Sequence, residues 1–141
     1  MPIRKILSVI TLLGASAIVG AAYQAKIEKV SPKAVSPADG KAMFMEYCAT
    51  CHGREGKGNG PAAGALKKTP ADLTVLSAHN GGKFPEAHIA RYIGGDDAIL
   101  AHGSRDMPIW GDVFKSMNRD QAVTAQRVSN LTDYVKLIQG K

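Results

Sequence analysis

Residues 40–52 read Gly40-Lys41-Ala42-Met43-Phe44-Met45-Glu46-Tyr47-Cys48-Ala49-Thr50-Cys51-His52. Cys48 and Cys51 are three positions apart, close to one turn on a helix, and His52 follows directly. In a C-x-x-C-H arrangement the two thiols are placed to add across the two vinyl groups of a haem, and the adjacent imidazole can take one axial position on its iron. The chain has only 2 cysteines and 4 histidines among 141 residues, and chance would order them this way on the order of once in a thousand such chains. Two other chemistries use part of the pattern: a thioredoxin-like dithiol pair and one half of a zinc site. The first needs a βαβ pattern that the chain lacks, and the second needs a fourth ligand from a histidine far along it. The pattern therefore predicts one covalently attached haem c, with Cys48 and Cys51 as its anchors and His52 on the iron.

On the N-terminal side of the motif, Ser36 with Pro37 behind it and Asp39 in the first turn predicts a helix from about Pro37 to Cys51. Residues 53–64, with glycine at 53, 56, 58, 60 and 64, are expected to form an exposed loop of tight turns. A second loop is expected from Lys67 to Lys83, containing Pro70 and the Asn80-Gly81-Gly82 turn. Phe84, Ile89, Tyr92 and Ile93, with Pro85 at the start, suit a short helix that stops at Gly94-Gly95. Irregular chain is expected through Pro108. A final helix is predicted from about Arg119 to Ile138, with Val128, Leu131, Val135 and Ile138 on one face, Tyr134 beside them, and Gly140 and Lys141 ending it. No stretch alternates long enough to be a strand and none repeats, so the fold class is all-α.

The N-terminus has Arg4 and Lys5, an uncharged run from Ile6 to Ala22, and small residues before Tyr23. This reads as a secretory signal peptide cut ahead of Tyr23, with Ala15 and Ala17 suiting a second cut site. The run is just short of a membrane-spanning helix, so an uncleaved N-terminal anchor is the alternative. Residues 23–37 carry two prolines and four lysines or glutamates and read as a linker, leaving 38–141 as the domain. The formal charge is +6, but Arg4 and Lys5 belong to the leader and Lys26, Lys29 and Lys33 to the linker. The folded body is close to neutral, and no basic stripe with interleaved aromatics speaks for nucleic acid.

From Ala38 to the C-terminus the chain resembles a class I c-type cytochrome domain. In GKAMFMEYCATCH the glycine and the aromatic four residues later resemble the first helix of that family, and the C-terminal helix resembles its last. The resemblance implies three to five helices wrapped around one covalently bound haem, with Leu131 and Tyr134 packed on Gly40 and Phe44. It also points to Met107-Pro108, because the family draws its second axial ligand from a methionine in a loop before the final helix. Elimination among the methionines agrees. Met1 is in the leader, Met43 and Met45 share a helix with the haem motif, and Met117 sits close to the final helix, where packing is its simplest role. Met107 lies in irregular chain beside a proline that restricts the backbone. His102, or an iron open to solvent, stays as the alternative on that side.

Pro61 resembles the family proline whose carbonyl accepts a hydrogen bond from the ligand histidine, a plain turn proline being the alternative. Trp110 either closes the haem pocket or is ordinary core. Lys67, Lys68 and Lys83 either rim an exposed haem edge or are merely solvated, and His79 and His88 are most simply surface residues. Together these readings describe a single-electron carrier exported to the periplasm, soluble or tethered to the inner membrane through residues 6–22. It would serve redox protein partners as a monomer or as a subunit of a respiratory complex, with no bond-making reaction. A haem enzyme or ligand sensor, and a haem-free thiol-disulfide oxidoreductase, are its rivals.

Overall fold

A computed structural model of the chain describes residues 32–95 and 107–140. Residues 1–22, read as a leader, the expected linker up to residue 31, and His102 with the rest of 96–106 lie outside the described residues, as does Lys141. The described residues fall within one compact unit, Ser31–Lys141, and all regular structure among them is helical.

The first helix starts later than Ser36 and Pro37 suggest. Asp39 N–H donates to Ser36 O at 3.2 Å and Ala38 N–H to Ser36 Oγ at 3.3 Å, so residues 36–39 close a turn. Asp39 then caps the helix, its carboxylate accepting from Ala42 N–H at 2.8 Å. The helix runs through three contiguous pieces: α1 Gly40–Met43, a π-helical turn Phe44–Cys48, and α2 Ala49–His52. Gly53, at φ 81°, ends it.

Two short 3₁₀ turns follow, Ala63–Ala65 and Leu73–Val75, the second running into α3, Leu76–His79. The stretch expected as open loop from Lys67 to Lys83 is thus partly helical. Asp72 initiates that turn by accepting from the Thr74 hydroxyl and the Thr74 amide, at 2.6 and 2.8 Å. These two bonds, led by the hydroxyl, hold the Asp72 carboxyl below its ordinary range. The expected middle helix is α4, Glu86–Gly94, ended by Gly95 in the left-handed region. A helix beyond those expected, α5, spans Trp110–Met117. The final helix, α6, is Gln121–Leu137, capped by the Asp120 side chain on Ala122 N–H.

α6 is the element against which α1, α4 and α5 all pack. Met43, Phe44, Phe114 and Leu131 are the largest fully buried side chains, and Tyr47, Ala49, Ile93 and Val135 complete the core. Burying each large one contributes roughly 1.5 to 3 kcal/mol. The crossing expected at Gly40 and Phe44 is present. A Cβ on Gly40 would overlap Asn130 O and lie 3.2 Å from Tyr134 Cβ, while the Phe44 and Tyr134 rings stand 5.1 Å apart. A second cluster joins Tyr47 to Trp110 and Phe114, with ring centroids 5.3 and 5.6 Å away, and this contact brings α5 onto the first helix.

Candidate haem site

Cys48 closes the π-helical turn, and Cys51 and His52 lie in the last turn of the first helix, so the helix brings all three to one end. The two cysteines are free thiols and half-buried. Burial, with a smaller contribution from Cys51, pushes the Cys48 thiol up to about 12. A thiol used for disulfide exchange is normally tuned the other way, toward the thiolate, which counts against the dithiol reading. Among the described residues no cluster of three or more His, Cys, Asp or Glu side chains gathers as a metal site.

His52 Nδ1 lies 3.0 Å from Ala71 O. A carbonyl oxygen only accepts, so the proton sits on Nδ1 and Nε2 presents its lone pair. Burial pushes the imidazole below its ordinary value, while the carbonyl bond pulls the other way. Both the tautomer and the lowered basicity suit a neutral ring acting as a metal ligand. The orienting carbonyl is therefore that of Ala71, which corrects the expectation placed on Pro61. Pro61 stands instead where the glycine loop turns beneath the motif. Nothing in the side chain of Ala71 announces this role; the local signal is Pro70 before it and the Asp72–Thr74 turn after it.

The glycine-rich stretch is the loop of tight turns its composition suggests, with Arg54, Glu55, Lys57, Asn59 and Pro61 exposed, but four of its glycines face inward. Gly53, Gly56, Gly58 and Gly60 are all buried, because the loop folds back onto the end of the first helix. Ala62 N–H donates to Thr50 O at 2.9 Å, Gly60 N–H to Cys51 O at 3.0 Å, and Gly58 N–H to His52 O at 2.7 Å. These bonds satisfy carbonyls that a helix end leaves without partners. A Cβ on Gly60 would sit 2.6 Å from Ala49 O and 2.7 Å from Cys51 C, so only glycine lets the backbones approach this closely.

Met107 is half-buried and, like Cys48, packs against the edge of the hydrophobic core, just ahead of α5. Met117, the last residue of α5, packs against the same core. Trp110 opens α5 and joins the aromatic cluster with Tyr47 and Phe114. Lys67, Lys68, Lys83, His79 and His88 are exposed. No helix of the described residues is long and apolar enough to cross a membrane.

Two unpaired thiols one turn apart, beside an imidazole whose outer nitrogen is free, form a donor set that fits a covalently attached haem. Comparison with known proteins bears on the same residues. Neither the curated proteins nor the solved structures contain a match to the chain. The family model described as cytochrome C oxidase, cbb3-type, subunit III matches residues 35–125, well over half of the chain and inclusive of the motif, the glycine loop and Met107. Domains of that family are c-type cytochromes that hold haem c covalently and carry electrons on its iron. The chain belongs to the cbb3-type cytochrome c oxidase subunit III family and is a monohaem c-type cytochrome domain.

Proposed function

We propose that the chain is an exported single-electron carrier, with thioether bonds at Cys48 and Cys51, His52 as one axial ligand and Met107 as the other. The observation that carries this reading is the 3.0 Å contact between His52 Nδ1 and Ala71 O, which leaves Nε2 free beside two unpaired thiols. When bound, the haem supplies a one-electron iron couple. The protein's own part is to hold and tune. Cys48 and Cys51 fix the group to the helix end, and Ala71 keeps the His52 ring in one tautomer. Met107 offers a thioether that would close the second axial position against small molecules and raise the potential. No bond-making step is required of any side chain.

Export rests on the leader 1–22 and on haem attachment itself, which suits the periplasm; the leader is either removed or retained as a tether. Donor and acceptor are redox proteins that dock briefly, since electron-transfer encounters bury little surface. The family's description favours one specific variant, in which the domain serves as a subunit of a respiratory oxidase complex.

The test is the visible spectrum of the exported protein, oxidised and reduced, for wild type and Met107→Ala. Wild type should show the weak far-red ferric band of thioether ligation, and the variant should lose it and bind cyanide or carbon monoxide readily. A wild type without that band, or a variant that keeps it, would exclude Met107 and move His102 or an open iron to the front.

A further inference from the structure

We infer that Gly58 is a positioning residue for the His52 imidazole, the glycine loop setting the ring by holding the Pro70–Ala71 peptide in place; this rests on His52 being the iron ligand proposed above. Gly58 touches both sides of the Nδ1 hydrogen bond. On one side its N–H donates to His52 O at 2.7 Å. On the other, a Cβ at Gly58 would overlap Pro70 O, stand 3.2 Å from Pro70 C and 3.4 Å from Ala71 C. Two residues earlier, Gly56 O accepts from Leu73 N–H at 2.7 Å. The loop therefore grips the segment just before and just after Ala71, and the carbonyl held between those grips is the one 3.0 Å from Nδ1.

Gly58 also has φ +77°, a conformation that glycine adopts freely and asparagine tolerates. A turn alone would accept asparagine. The approach to Pro70 would not, because any Cβ must displace the peptide whose next carbonyl orients the ring. Displacement lengthens the Nδ1–H···O bond, which makes the imidazole a weaker donor to iron. A weaker donor stabilises the ferric state less, so the reduction potential rises.

The experiment compares holoprotein of wild type, Gly58→Ala, Gly58→Asn and Gly81→Ala by reduction potential and by solvent exchange of the His52 Nδ1 proton in the ferrous state. Gly81 shares the left-handed backbone, at φ +64°, but nothing lies within 4 Å of its added Cβ. It therefore reports backbone strain without displacement. Both Gly58 variants should raise the potential and speed Nδ1 exchange roughly tenfold, the worth of one hydrogen bond. Gly81→Ala should lose stability and leave both readouts at wild-type values. Wild-type readouts in Gly58→Asn, or equal shifts in Gly81→Ala, would overturn the positioning role. A wild type with no histidine on the iron would instead overturn the functional reading, so the two failures are distinguishable.

Discussion

Gly40 is the residue on which the helix crossing depends, since the space a Cβ would need is filled by the carbonyl of Asn130. Gly40→Ala forces α1 and α6 apart and should cost about 2 to 3 kcal/mol, as overpacking commonly does. In a domain of this size the melting temperature should fall by roughly 10 °C or more, with the visible spectrum of attached haem unchanged. A melt equal to wild type would show that the crossing can relax freely. The same α6 carries Arg127, which is buried, lies 5.6 Å over the Phe114 ring and donates from a terminal nitrogen to Met43 Sδ at 3.5 Å. Its Nε has no hydrogen-bond partner. Cys48, Cys51 and His52, the proposed anchors and ligand, are legible in the sequence because the chemistry proposed for them depends on their spacing alone. Ala71 is not, since it acts through a backbone carbonyl brought near His52 by folding, and Gly58 is legible only as a turn former.

Among the elements, the first helix, α4 and α6 follow from their apolar spacing and end signals, with starts displaced by one to three residues. The helix α5 is harder to read, although Trp110, Val113, Phe114 and Met117 follow helical spacing. It is short, and Pro108 ahead of it reads equally well as continued loop. The stretch expected as linker just before the first helix is obscure for a different reason. Tyr47 Oη donates to Lys33 O at 2.8 Å and accepts from Val35 N–H at 3.2 Å, while Val35 packs against the core. Residues 33–35 are thus strapped to the helix beside Cys48, by a bond to a tyrosine twelve or more residues away that composition cannot reveal. Tyr47→Phe keeps the ring contacts with Trp110 and Phe114 and removes only the hydroxyl, so it should cost about 1 kcal/mol. Trypsin should cut after Lys33 several times faster than in wild type. Equal cutting would mean that the packing of Val35 holds the strap unaided.

Across the domain as a whole, burial is uneven. Phe44, Phe114, Met43 and Leu131 are sealed between α1, α5 and α6, whereas Cys48, Cys51, His52 and Met107 are only half-buried. The segment that carries Ala71 is pinned from the far end of α6. Gln139 Nε2 donates to Leu73 O at 2.6 Å, Ser77 N–H to Gln139 Oε1 at 2.9 Å and Gly140 N–H to Thr74 O at 2.7 Å. Polar backbone contacts of this kind fix geometry but bury little apolar area, and the apolar residues on the motif side, Cys48, Leu73, Leu76 and Met107, are only partly buried against the core. A small domain in that condition relies on a bound group to complete its core, and a group bound only by the folded chain stabilises it by mass action. Covalent attachment makes that supply permanent. Cys48→Ser combined with Cys51→Ser, produced without haem, should therefore retain part of its far-ultraviolet helical signal, lose its near-ultraviolet tertiary signal and melt without a cooperative transition. A sharp melt with the near-ultraviolet bands intact would show that the α1, α5 and α6 core suffices, and that the haem is seated in a domain already folded.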